Sequence, residues 1–333
     1  GSLSDITRRR KVFVLLGYGI STISKPFFMV ASNWFDAFVV RTMDRMGKGI
    51  RTAPRDALIA DSVSESVSGK AFGIHRTIDQ MGAIVGPIAA FLILQFTNIQ
   101  TVFLLSLVPG AVAVIILVLF VKEVAIKKLA STTGIFKNIG ALLKENRPFV
   151  IIMVVTGVFS IGAFNFSFVL LKSSELGVEQ NHVPIVYAVI NVAHTIIGIP
   201  AGILADRIGK EKVLLLGYAV FTLTSALMAV TVKDASFAYA LAVLFGLYAG
   251  ISETLQRAII PRYVVSELRG TAYGLYSLVS GTCFFISNLT FGFIWDVHGV
   301  SIAALYSLCF STVAILGLAI FMKNYSTATT DDG

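Results

Sequence analysis

The sequence is short of cysteine, histidine and, above all, charge. Its two cysteines, Cys283 and Cys309, both sit inside apolar runs. Such a pair excludes a disulfide framework and a cysteine-ligated metal site, and leaves the redox compartment open. Charged residues make up 14% of the chain, against about 25% in a soluble domain. Hydrophobic residues reach 56%, above the roughly 45–50% of soluble domains. Both departures point to a membrane protein. The sequence has no glycine-rich phosphate loop ending in Gly-Lys-Ser/Thr and no His-Glu-x-x-His. No catalytic residue, metal or cofactor is therefore expected, and an ATP-driven pump is disfavoured. The net charge is +8, but the basic residues are scattered among short loops. Insertion topology explains that pattern better than nucleic-acid binding.

What the chain does have is apolar runs of membrane-crossing length, about 20 residues each. Ten are read, at 11–31, 34–60, 71–96, 100–121, 148–171, 183–204, 211–231, 236–260, 269–295 and 301–322. The second is heavily charged, and hydropathy alone would miss it. Lys122–Arg147 is the only sizeable polar connection and reads as a linker between two halves. Alternate loops carry twenty Lys and Arg against two, Lys172 and Lys233, on the other side. The basic set is placed in the cytoplasm. The same alternation requires 34–60 to be a true span.

The two halves repeat at an offset of 201. Gly1–Asp5 answers Gly202–Asp206, Ala57–Ile59 answers Ala258–Ile260, and Gly69–Ile74 answers Gly270–Leu275. Internal symmetry of this kind marks transporter folds. The second half opens near Arg147, so its counterpart would begin about 55 residues before Gly1. That is enough for two spans. The expectation is a twelve-span protein of which ten spans are present here.

A loop reading Gly-x-Leu-Ala-Asp-Arg-x-Gly-Arg-Lys in both halves resembles the major facilitator superfamily. The first copy keeps Gly1, Leu3, Asp5, Arg9 and Arg10; the second keeps Gly202, Leu204, Ala205, Asp206, Arg207, Gly209 and Lys210. The first departs at Ile6 and Arg8, the second at Glu211. The resemblance implies an all-α integral membrane protein of the two-bundle type. Residues 1–121 would be the remainder of the N-terminal bundle (family spans 3–6) and 122–147 a cytoplasmic central loop. The C-terminal bundle (family spans 7–12) would occupy 148–325, with a tail at 326–333. Gly73, Gly82, Gly86, Pro87 and Ala90 fit the fifth-span spacing of antiporter members, with Ala for the last Gly. Arg41–Gly49 resembles the family's fourth-span Arg-x-x-x-Gly-x-Gly, with Arg45 where the first Gly belongs. The run Asp44–Asp56 looks like a bacterial branch.

On a helix, Arg41, Asp44, Arg45, Lys48 and Arg55 share an arc of about 100°. Five charges facing lipid would cost on the order of 12–17 kcal/mol on the insertion scale, so the stripe must face a wet cavity or another helix. Arg41, Asp44, Arg45 and Lys48 read as a substrate or proton pathway. The competing reading is an ion-pair network that only holds helices together, and it is preferred for Arg51, Arg55 and Asp56 near the cytoplasmic end. Arg76 with Asp79, and Glu253 with Arg257, read as pathway residues or as pairs internal to their helices. Asp79 is the preferred proton-coupling acid, desolvated by the glycine face beside it. Asp5 is expected to meet Arg51 or Arg55, and both signature loops are assigned to a cytoplasmic gate. The glycines read as close helix contacts. His194 reads as a proton site or as a hydrogen-bonded histidine of the span. Lys25-Pro26 should kink the first run.

The expected function is secondary transport of a small organic solute by alternating access, with proton-coupled efflux as the first choice. The rival within the class is a facilitator or symporter of an organic anion. The rival outside it is a non-transporting scaffold or sensor on the same fold. The expected partners are the solute, protons and the bilayer, with no nucleic acid, and the protein is expected to be a monomer. The expected location is the bacterial inner membrane, multi-pass, with central loop and C-terminus cytoplasmic.

Overall fold

A backbone in hydrocarbon must satisfy its own hydrogen bonds, and helices do this within one segment. The computed structural model describes residues 1–123, 134–180, 182–230 and 234–325, and these contain helices and no strand. In chain order the helices are α1 (Ser2–Thr7), α2 (Arg10–Ser24), α3 (Trp34–Asp61), α4 (Ser68–Leu94), α5 (Ile99–Leu105), α6 (Leu107–Phe120), α7 (Ile135–Glu145) and α8 (Arg147–Gly162). They continue as α9 (Phe166–Glu175), α10 (Val183–Ile208), α11 (Lys210–Met228), α12 (Ala235–Ala258), α13 (Ile260–Tyr263), α14 (Arg269–His298) and α15 (Val300–Tyr325). Tighter 3-10 turns at Glu65–Val67 and Ser266–Leu268 lead into α4 and α14.

Among the described residues, nine segments are long and apolar enough to cross a membrane, and each overlaps one of the expected runs. The tenth run is α3, 28 residues of unbroken helix that is too charged to qualify by hydropathy. Five helix starts among the described residues carry a side-chain cap. Asn33, Asn98, Asn146, Asn165 and Asp234 each accept from a backbone N–H two or three residues on, opening α3, α5, α8, α9 and α12. Such a cap satisfies an N–H that has no intrahelical acceptor.

The structure adds detail to the expected outline at several points, among them a break in the run 100–121 at Ser106, between α5 and α6. The disturbance expected at Lys25-Pro26 takes the form of a 3-10 turn at Lys25–Met29, where α2 ends at Ser24, because Pro26 cannot donate to the α ladder. The run 148–171 breaks at 163–165 between α8 and α9. The polar connection holds a helix, α7, that the apolar-run criterion was too coarse to find; residues 124–133 of that connection, and the tail at 326–333, lie outside the described residues.

The chain forms two compact units. The first comprises Gly1–Val63, Gly82–Leu142 and Val264–Gly274; the second comprises Ser64–Met81, Leu143–Tyr263 and Leu275–Gly333. α4 and α14 each begin in one unit and end in the other. In the first unit α2 packs on α3 and α6. Gly17 and Gly47 mark the crossing: a Cβ on Gly17 would lie 2.6 Å from the Gly47 carbonyl oxygen. In the second unit α10 packs on α12, and α11 on α12 and α15. Its core is aromatic, with Phe159 stacked on Tyr218 at 3.8 Å between centroids and Phe221, Phe164 and Tyr248 around them.

Candidate functional site

The exposed N–H groups of a helix start carry partial positive charge and favour an anion. In the first unit Asp5 on α1 supplies one to α14. Its carboxylate accepts from the backbone N–H of Gly270 (3.1 Å) and of Thr271 (2.6 Å), and from the Thr271 hydroxyl (2.8 Å). Arg10, in the first turn of α2, donates to the same carboxylate at 3.2 Å and pairs with Asp61 at the end of α3. Arg10 also donates to the carbonyl oxygens of Ala57 and Ser266. Arg269 reaches Asp61 at 2.6 Å, and the Ser266 hydroxyl donates to it at 2.8 Å. The side chains of Arg10, Asp5 and Asp61 are no more than 2% exposed. Burial pushes the Asp5 carboxyl up from the usual aspartate range, against the pull of Arg10 and of the Thr271 hydrogen bonds.

The second unit repeats the cap. Asp206, in the last turn of α10, accepts from the N–H of Gly69 (2.8 Å) and Lys70 (2.7 Å) at the start of α4. Gly209, with φ +106°, takes the left-handed turn that lets α11 begin at once. Lys210 pairs with Glu65 at 2.5 Å and lies 3.7 Å from Asp206. Glu211 pairs with Arg262 at 2.9 Å and accepts from the Tyr263 hydroxyl. At the offset of 201, Arg10 corresponds to Glu211 and Asp61 to Arg262. The supporting ion pair thus recurs with its charges exchanged.

The expected partners of Asp5 need correction. Arg51 stands 4.0 Å over the Tyr18 ring, and Arg55 pairs with Asp56 at 2.9 Å. Arg10 is nearer in sequence and lies on the helix that α1 leads into. Arg9, assigned to the gate, is exposed, as is Arg207. Gly1 and Gly202 sit where a Cβ would meet the backbone of Gly270 and Gly69 respectively.

A second polar group lies within the spans of the second unit. The three nitrogens of the Arg76 guanidinium on α4 go to three side chains. Nη1 donates to Asp79 at 3.0 Å, Nη2 pairs with Glu253 on α12, and Nε donates to Nε2 of His194 on α10 at 3.3 Å. One turn on, the Gln80 amide donates to Asn191 at 2.5 Å. Glu253 therefore reaches across to Arg76 on α4; the sequence had left it either a pathway residue or a partner of Arg257 on its own helix. Arg257 donates back to the Glu253 carbonyl at 2.9 Å. The Asp79 side chain is half-exposed and paired with Arg76, so the glycine face beside it does not enclose it. Of those glycines, Gly73 packs against Gly198 of α10, but a Cβ at Gly82 or Gly86 would meet nothing within 4 Å. Ala90 is half-buried, and the Pro87 side chain lies outside the described residues.

In the first unit, Arg41, Arg45 and Lys48 are exposed along α3, while Asp44 is half-buried. The sequence pointed to none of Asp61, Arg269, Glu65, Arg262, Gln80 and Asn191, and placed Arg10, Lys210 and Glu211 in the signature loops without their partners. The offset of 201, applied to charged positions, would have paired Arg10 with Glu211 and Asp61 with Arg262.

Fold and polar groups together define a polytopic all-helical membrane protein built from a duplicated unit, each copy closing a helix start with an aspartate. A family profile described as Major Facilitator Superfamily matches residues 1–288 and, in a second alignment, 154–330. The chain belongs to this superfamily of membrane transporters. It is 34% identical over 311 residues to the uncharacterized MFS-type transporter MJ1317 of Methanocaldococcus jannaschii, covering 89% of this chain and 75% of that one. It is 22% identical over 335 residues to the multidrug resistance protein MdtG of Salmonella typhi, covering 98% and 79%. Among solved structures, the human organic anion transporter MFSD10 superposes with a TM-score of 0.77 at 14% identity, over 96% of this chain and 79% of that one. The fucose:proton symporter FucP of E. coli gives 0.73 at 15% identity, over 96% and 85%. At such identities the structures speak for the fold alone.

Proposed function

We propose that the protein is a secondary active transporter that moves a small organic solute by alternating access, in exchange for protons. The observation that carries this reading is the Arg76 group: one guanidinium held by two carboxylates and an imidazole within the spans. Charges inside a membrane are costly and mark ion or substrate paths. Two carboxylates sharing one cation offer two places for a proton: on Glu253 it breaks the ion pair that joins α4 to α12, and on Asp79 it breaks the pair within α4 and leaves Arg76 to Glu253. The similarity to MdtG favours efflux. The solute, protons and the bilayer are its partners, and it acts as a monomer in the bacterial inner membrane. Residues 1–121 and 148–325 are the two bundles. The Asp5 and Asp206 groups form the cytoplasmic gate.

A second reading, a facilitator or symporter of an organic anion, is favoured by the exposed Arg41, Arg45 and Lys48 on α3. Excess positive charge in a wet pocket lowers the energy of an anion. A solute screen in proteoliposomes with an imposed pH gradient separates the two. Antiport predicts that solute moves against the proton flux; a gradient-independent flux of anions would sink it. Orientation has its own test. Single cysteines at Lys137 and Glu179, in a chain lacking Cys283 and Cys309, meet an impermeant thiol reagent on intact cells. Labelling at position 179 and not at 137 is expected, and the reverse would overturn the cytoplasmic central loop.

A further inference from the structure

Arg76 can only donate hydrogen bonds. Its Nε–H points at Nε2 of His194, 3.3 Å away. That nitrogen accepts only while it carries no proton, so the contact fixes the tautomer: the proton of the neutral ring is on Nδ1. His194 is 5% exposed, and water has little room to replace its nitrogen. The residue is also held from behind. A Cβ on Gly250 of α12 would lie 2.7 Å from the His194 carbonyl oxygen and 3.3 Å from its Cδ2, and one on Gly246 would lie 3.1 Å from its backbone nitrogen. Two glycines thus bring the α12 backbone against His194 and leave its ring no space to turn that way.

We propose that His194 is a positioning residue for the Arg76 group. Its unprotonated Nε2 holds the guanidinium between Asp79 and Glu253, and a proton taken up by His194 detaches Arg76 from α10. The role this gives His194 in transport rests on the proton-coupled reading above, but the contact itself does not. Charged groups stand on each helix packed against α10, and among the described residues Arg76 is the one in contact with His194. α4 brings Arg76 and Asp79, with His75 beside them. α12 brings Glu253 and Arg257. On α9, Lys172 pairs with Glu175; on α11, Lys210 pairs with Glu65 and Glu211 with Arg262. An imidazolium at position 194 can no longer accept, and it places a second cation beside Arg76. The two cations then compete for the two carboxylates that Arg76 bridges.

The test is the pH dependence of thermal unfolding, measured on the whole chain in detergent. Unfolded imidazole takes up its proton near pH 6.5, so a contact that needs neutral His194 weakens as the pH falls below that value. The wild type is expected to lose about 4 °C more between pH 7 and pH 5 than His194→Gln. The glutamine carbonyl accepts from Arg76 at either pH, so this variant separates titration from mere removal. His194→Phe, lacking an acceptor, should melt below the wild type at pH 7 and lose less on acidification; if it fails to fold, His194→Gln decides alone. Equal pH slopes in the wild type and His194→Gln would overturn the proposal. A flattened slope in His194→Gln, combined with transport that ignores the pH gradient, would leave the contact standing and remove the coupling reading.

Discussion

The starts of α14 and α4 are both closed by an aspartate, yet the charges behind the two aspartates are not alike. Behind Asp5 stand two guanidinium groups and a second carboxylate, Asp61, in balance. All but Arg269 are sealed from solvent. Behind Asp206 stands Lys210, which shares itself with Glu65, a residue 44% exposed. The neighbouring pair, Glu211 with Arg262, has the opposite order of charges from Arg10 with Asp61. The difference has a physical logic. A helix start always presents N–H groups, so its cap must be an acceptor in both copies. An ion pair needs only opposite signs, so duplication leaves it free to invert. The first group is buried but for the edge of Arg269, and the second opens to the surface at Glu65, so the first is expected to depend more strongly on each member.

The largest expected effect breaks the first group. Arg10→Met leaves Asp5 and Asp61 buried with less compensation and should cost about 3–5 kcal/mol of unfolding free energy. Lys210→Met, its counterpart one residue from the strict offset, should cost clearly less. Equal losses in chemical unfolding would erase the contrast. Next come the caps. Asp5→Asn should cost about 2 kcal/mol and Asp206→Asn about 1 kcal/mol, since only the first also unpairs a buried arginine. Distance probes on α10 and the start of α4 should show Asp206→Asn loosening that contact; no change would leave the loop without a gating role. Exchanging the second pair sharpens the point about sign. Glu211→Arg and Arg262→Glu should each cost about 2 kcal/mol, and the double change should recover most of it. The smallest effect is expected from Glu65→Gln, at about 0.5 kcal/mol, since the Glu65 side chain is 44% exposed and Lys210 keeps the Glu65 backbone carbonyl and Asp206 nearby.

The spans were readable because hydrocarbon demands about 20 apolar residues, and no tertiary contact is needed to see that. α3 was readable for another reason: its charges fall on one arc, and the loops after it keep their sign pattern only if it crosses. The repeat exposed Asp5 and Asp206. The residues that hold them were not readable. Arg10 lay in a basic run, Arg8–Lys11, that membrane topology already explained, and its partner Asp61 is fifty-one positions away. A pair with Arg257 was one of two readings open for Glu253, because helical neighbours are the only contacts a sequence displays. That it turns instead to Arg76 depends on how α4 meets α12. α7 escaped because a helix of eleven residues in a polar connection shows no long apolar run.

The central claim is that the Arg76 group couples solute movement to protons. Its most direct test is uptake into proteoliposomes of a solute found in the screen, driven by a pH gradient, with wild type, Asp79→Asn and Glu253→Gln compared. The account predicts that the wild type concentrates the solute against its gradient. It predicts that at least one of the two variants still exchanges labelled for unlabelled solute but no longer responds to pH. A wild-type flux indifferent to the gradient, or two variants that follow it as the wild type does, would contradict the account.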